Sequence, residues 1–141
     1  MLRRLGVAAM LVEQITSALQ MPWTYWYVRL IAIALLYGAT VHIGNILGFT
    51  GTPWGETPLL WRSLDIILLV FNIVTAIGLW WHRFWSVPLL VIGIVILQWL
   101  PYTIWRSQFV LKPEDTQALN GLIGTEAILL ILLGLLLWQK K

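Results

Sequence analysis

The chain alternates long apolar runs with short polar connections, and four of the runs are near twenty residues in length. A bilayer core about 30 Å thick takes about 20 residues of helix to cross. The pattern therefore predicts spans over residues 27–47, 59–81, 84–105 and 118–138. The connection "GFTGTPWGETP" is built of Gly, Thr and Pro, which favour turns. "WHRF" is so short that the second and third spans must form a tight antiparallel hairpin. In "RSQFVLKPEDTQ", Pro113 suits a first helical turn, and Glu114 and Asp115 complement the positive end of that helix.

The first 22 residues follow a different period. Leu2, Leu5, Ala9, Val12, Ile15 and Leu19 recur at three- to four-residue steps, with Arg3, Glu13, Gln14, Ser17 and Gln20 between them. This is the pattern of an amphipathic helix lying at a membrane surface. The basic start suggests a cleaved signal peptide as the rival reading. Against it, the apolar run is short, Glu13 follows it, and no small-residue cleavage site appears. Met21-Pro22-Trp23 is expected to break the helix before the first span.

Composition supports a membrane assignment. Of 141 residues, 60% are hydrophobic, nine are basic and six acidic. A soluble domain carries about a quarter charged residues, and the mean hydropathy here is +0.83. The expected fold is all-α, an integral membrane four-helix bundle (residues 23–141) behind an amphipathic helix (residues 1–22). The absence of cysteine removes disulfides, thiolate metal sites and thiol redox chemistry. The high pI, about 9.6, is read as a topology signal, with no nucleic-acid partner. Arg3, Arg4, Arg29, Arg83, Lys140 and Lys141 fall on the side of the termini, and Arg62, Arg106 and Lys112 on the other. That bias predicts both termini in the cytoplasm, and a bacterial inner membrane or thylakoid membrane as the location. The ten tryptophans cluster at the span ends and read as interface anchors.

Ionisable and amide groups inside spans are costly and mark bundle interiors or function. His42, Asp65, Gln98 and Glu126 sit one to a span, each about 8 to 12 Å in from the same end at 1.5 Å per residue. On the first span Gly38, His42 and Asn45 share a side. On the third Gln98, Tyr102 and Trp105 do, and Pro101 frees a backbone carbonyl one turn earlier. Glu126 has no polar neighbour on its own helix, so it needs a partner from another span or a proton. Asn45, Asn72 and Thr75 taken singly are ordinary interhelical hydrogen-bonding residues. Arg62, one turn before Asp65, reads as its counter-ion, and His82 as a solvated loop residue. The candidate ligand-binding set is His42, Asn45, Asp65, Gln98, Tyr102 and Glu126.

Several chemistries can be weighed against that set. A bis-histidine haem would need His42 and His82 at one depth, whereas the sequence puts them at opposite faces. A zinc site has acceptable ligand types in His42, Asp65 and Glu126 but lacks ligand spacing. A quinone or similar amphiphile fits best. Its ring would stack on Tyr102, Trp105 or Trp61, its carbonyls would meet His42 and Gln98, and protons would pass through Asp65 or Glu126. The alternatives are a proton-coupled small-molecule transporter and a structural subunit of a larger membrane complex.

"VRLIAIALLYGATVHIGN" and "LDIILLVFNIVTAIGLW" carry a family likeness. In the first, an Arg opens the span and a Gly follows toward its middle. In the second, an acid near the start is followed by a Gly-Leu close. This layout resembles the DoxX-like small four-helix membrane proteins over roughly residues 25 to 138. "GTPWGETPLLWR" and "YTIWRSQFV" look like phrases of uncharacterised cyanobacterial members. The resemblance implies an accessory to a redox system in a bacterial membrane, not an enzyme with its own catalytic set. Its partners would be the lipid bilayer and a larger membrane complex or further copies of the chain.

Overall fold

The structure, a computed structural model, describes residues 2–139, with side chains from Gly6 to Gln139. Met1, Lys140, Lys141 and the side chains of Leu2, Arg3, Arg4 and Leu5, which entered the readings of topology and amphipathicity, lie outside the described set. Five helices make up the fold: α1 (Leu2–Leu19), α2 (Pro22–Ile46), α3 (Leu59–Trp80), α4 (Ser86–Ile104) and α5 (Pro113–Leu137). The fold is all-α, without strands among the described residues. Helices α2 to α5 are each long and apolar enough to cross a membrane. The end of the bundle where α2 begins and α5 finishes is called proximal below, and the opposite end distal.

Two helix starts lie earlier than hydropathy alone implies, and proline is the reason in both. Helix α2 opens at Pro22, not at residue 27. The expected break falls at Gln20 and Met21, and Pro22 then starts the next helix. A proline at N1 gives up an N–H that would be unpaired there anyway. Helix α5 likewise starts at Pro113, well before residue 118. Asp115 acts there through capping as well as charge: its Oδ2 accepts the Leu111 and Lys112 N–H groups at 2.8 and 2.9 Å. Helix α4 carries a π-helical stretch, Gly93–Trp99, in which the Leu100 N–H reaches back to the Val95 carbonyl. Pro101, just beyond, has no N–H to offer Leu97. The wider stretch is how α4 absorbs that defect.

Packing divides the bundle into two unequal halves. The proximal core joins all the helices: Leu19 of α1, Val28, Ile31 and Ala32 of α2, Ala76 and Leu79 of α3, Val87, Leu90 and Ile94 of α4, and Leu133 of α5. Tyr27 ties α2 to α5 there, donating from its hydroxyl to the Leu129 carbonyl at 2.9 Å. The distal core contains Leu64, Leu68 and Phe71 of α3, Tyr102 of α4, Phe109 of the α4–α5 connection and Leu119 of α5. No α2 side chain belongs to it. Beyond Ala32 the one buried residue of α2 is Ala39.

At the proximal surface Arg29 lies against three aromatic rings, 4.6 Å from the Tyr25 centroid, 4.7 Å from Trp80 and 5.5 Å from Trp26. His82 is not the solvated residue expected from its loop position. It is half-buried, stacks on Tyr25 at 4.0 Å, and its Nε2 lies 3.1 Å from the Tyr25 carbonyl. Helix α1 uses only part of its apolar stripe. Ala18 and Leu19 are buried and Ile15 packs beside them, while Val7, Met10 and Leu11 remain exposed.

Helices α3 and α4 meet closely at Gly93. A Cβ placed on Gly93 would fall 2.0 Å from the Phe71 ring, so only glycine lets that ring lie against the α4 backbone. Gly93→Ala is expected to destabilise the bundle by about 1–3 kcal/mol through overpacking. Gly134→Ala, where an added Cβ meets nothing within 4 Å, is expected to be neutral or mildly stabilising. Thermal unfolding of the two variants in detergent checks the contrast.

Candidate functional site

Because α2 brings little side-chain bulk to the distal half, space is left among the four spans. The result is a cavity of about 700 Å³, within the range of small-molecule sites, about 300–1,000 Å³. All six residues singled out from the sequence line it: His42, Asn45, Asp65, Gln98, Tyr102 and Glu126. It runs from Ile31 to Asn45 along α2, a helical distance of about 20 Å.

Asp65 organises the distal part. It is 2% exposed and accepts hydrogen bonds on both oxygens. Oδ1 takes His42 Nδ1 at 2.8 Å and Asn45 Nδ2 at 2.9 Å, and Oδ2 takes Trp54 Nε1 at 3.3 Å. A buried carboxylate is tolerable only with such donors. The spacing follows from the sequence: His42 and Asn45 are three residues apart and so lie on one face of α2, turned toward Asp65 on α3. Trp54 comes from the α2–α3 connection. That connection turns at Gly48 and Gly51, both at positive φ (78° and 89°), then makes a short 3-10 turn, Trp54–Glu56, which brings the indole back over the bundle.

Arg62 is therefore not the counter-ion of Asp65. Among the described residues the ion pair to Asp65 comes from His42, and the Arg62 guanidinium lies 6.0 Å from the Trp54 ring centroid. The neutral donors and the histidine fill the positions that Arg62 was expected to use. Two tryptophans likewise do more than anchor an interface, namely Trp54 and Trp99. Trp99 Nε1 donates to Glu126 Oε2 at 3.0 Å, giving Glu126 the partner from another span that its own helix cannot provide.

The remaining lining is aromatic on one side and apolar at depth. Tyr102, Trp61 and Phe109 form one wall, with Phe109 edge-on to Tyr102 at 4.9 Å and tilted on Trp61 at 6.2 Å. Trp105 does not join this wall. The helix ends at Ile104, Trp105 takes φ −111° and ψ 35°, and its side chain is exposed. Deeper in, Ile31, Leu35, Leu90, Ile94 and Leu129 enclose the proximal end of the cavity. Asn72, 5% exposed, lines it with its Oδ1 unpartnered, and Gly38 opposite makes room for that amide.

Chemically, the site joins a charge-oriented histidine to a second carboxyl across one cavity. When Nδ1–H of His42 donates to Asp65, Nε2 is left as the nitrogen that can accept or deliver a proton. His82, stacked on Tyr25 at the proximal surface, takes no part in this cavity. No three of the His, Asp and Glu side chains among the described residues gather closely enough to hold a metal ion. No family model matches the chain, and comparison with curated proteins and with solved structures likewise gives no match.

The weight of Asp65 can be measured. Asp65→Ala leaves the half-buried donors of His42, Asn45 and Trp54 without their buried acceptor. It is expected to cost about 3–5 kcal/mol, whereas Trp54→Phe, which removes the longest of the three bonds, is expected to cost about 0.5–1.5 kcal/mol. Chemical unfolding in mixed micelles, compared across both variants, is the check.

Proposed function

We propose that the protein is a small membrane protein that binds a quinone-type amphiphile in the distal cavity and serves as accessory to a larger redox system. The observation that carries this reading is the convergence of the Asp65-bound His42, the Trp99-bound Glu126 and the Tyr102–Trp61–Phe109 wall on one cavity. A flat ring with two oxygens has its chemical complement there. The aromatic wall offers a stacking surface, His42 Nε2 meets one ring oxygen, and Gln98 and Glu126 stand on the other side. Reducing a quinone to the quinol takes two electrons and two protons. The electrons come from the redox partner, and His42 and Glu126 are the proton-bearing groups at the ring.

In this reading the bundle sits in a bacterial inner membrane or a thylakoid membrane with both termini cytoplasmic, as the Lys and Arg bias favours. The distal cavity then faces the periplasmic or lumenal half of the bilayer, and α1 lies along the cytoplasmic surface. Kinship with the DoxX-like proteins belongs to the same proposal, supported by the Arg-to-Gly layout of α2 and the acid-to-Gly layout of α3.

Purified protein is expected to carry quinone that organic extraction recovers in near-stoichiometric amount. Combined His42→Ala and Asp65→Asn substitution is expected to weaken binding of added quinone by about tenfold or more, equivalent to about 1.4 kcal/mol or more. Protein free of quinone, together with unchanged binding in the double variant, overturns the reading. Orientation has its own test, made clean by the absence of native cysteine. Glu56→Cys is expected to react with a membrane-impermeant maleimide in spheroplasts, and Arg83→Cys only after the membrane is opened. The reverse pattern places the cavity in the other half of the membrane.

A further inference from the structure

Resting on the reading just given, we propose that the ligand reaches the cavity sideways from the bilayer, through a seam between the distal halves of α2 and α5. Its hydrocarbon chain remains in that seam while the ring lies at His42. The substrate class is thereby narrowed to lipid-dissolved, chain-bearing quinones, as opposed to water-soluble rings.

Three observations converge on the seam. First, the walls differ. The lining residues of α4 (Leu90, Ile94, Gln98, Tyr102) are buried, and so are Leu64, Asp65 and Asn72 of α3. By contrast Tyr37 and Val41 of α2 and Gly121 and Thr125 of α5, which also line the cavity, are exposed. Tyr37 is 72% exposed although it belongs to the cavity wall. A side chain that both lines a cavity and meets the exterior stands at its opening.

Second, chain crosses both ends of the cavity. At the distal end the α2–α3 connection folds across, with Thr50, Thr52 and Thr57 facing the cavity. Lys112, at the start of α5, reaches Gly51 on that connection, its Nζ 3.3 Å from where a Cβ would lie. At the proximal end the packed core closes the floor, and the Tyr27–Leu129 bond holds α2 and α5 together. The two helices are therefore tied to each other at the proximal end.

Third, the lips of the seam are nonionic and, on α5, mostly small. Helix α5 presents Ala118, Gly121 and Thr125 along one face, and Ala34 stands on α2. An added Cβ at Gly121 would meet nothing within 4 Å. In a bilayer this opening faces acyl chains, where a hydrocarbon tail is at no disadvantage and a charged solute is strongly excluded. The carboxyl and imidazole groups lie inside the cavity and nonionic residues at its lip, matching the two ends of a chain-bearing quinone.

The test compares two ligands on wild type and two variants in lipid nanodiscs. The ligands are a benzoquinone bearing a ten-carbon chain and the same ring without the chain. Gly121→Phe and Ala34→Phe each fill the seam from one lip and leave His42, Asp65 and Glu126 in place. The expected result is that each variant weakens the chain-bearing quinone by about tenfold or more, while the chainless ring is held to within about twofold of wild type. Loss of both ligands to the same degree, or of neither, overturns lateral access while leaving quinone binding itself intact. Failure of wild type to hold either ligand overturns the underlying reading, and the inference with it.

Discussion

The arrangement of the distal half depends on one buried carboxylate. Asp65 is almost wholly enclosed, and without donors it would be among the most costly groups a membrane bundle can contain. His42, Asn45 and Trp54 remove that cost, and in doing so they join three pieces of chain: α2, α3 and the connection between them. Beyond Ala32, α2 contributes only Ala39 to the buried set, so polar bonds to Asp65 and close backbone approach hold that part of the helix.

The cavity is a consequence of the same choice. A helix that presents Gly38, Ala39, His42 and Asn45 inward lacks the volume to fill the space that Leu64, Phe71 and Leu119 leave on the other side. Proximally, where Val28 and Ile31 supply that volume, the core closes. The open and the solid halves of the molecule thus reflect where α2 carries bulk and where it does not. The histidine that anchors α2 is also the residue whose remaining ring nitrogen is available to a ligand, so the structural bond and the proposed chemistry share one side chain.

Much of this was legible in the sequence, and the gaps have physical causes. Hydropathy located all four spans, because a bilayer demands length and apolarity of every crossing helix. Counting residues from the span ends brought His42, Asp65, Gln98 and Glu126 to one level, because helical rise is constant. Partner identity was harder. Arg62 looked like the mate of Asp65 because the two are three residues apart, but proximity along a helix does not direct a side chain inward. The true donors came from α2 and from a turn whose path is set by two glycines at positive φ. Trp54 and Trp99 were taken for interface anchors because an indole at a span end is usually that. Which way its N–H points is a property of tertiary packing. Trp105 was placed on the cavity wall by extending helical geometry one residue past the point where the helix ends.

A quinone ring seated between His42 and Glu126 would be revealed by photolabelling membranes with an azido-substituted quinone and locating the modified peptides by mass spectrometry. Label is expected on the α2 segment around His42 and Asn45 and on the α4 segment around Gln98 and Tyr102, displaced by excess unlabelled quinone. Label spread over the outward-facing residues of α5, such as Ile128, Ile131 and Leu135, and undiminished by competitor, would contradict that seating.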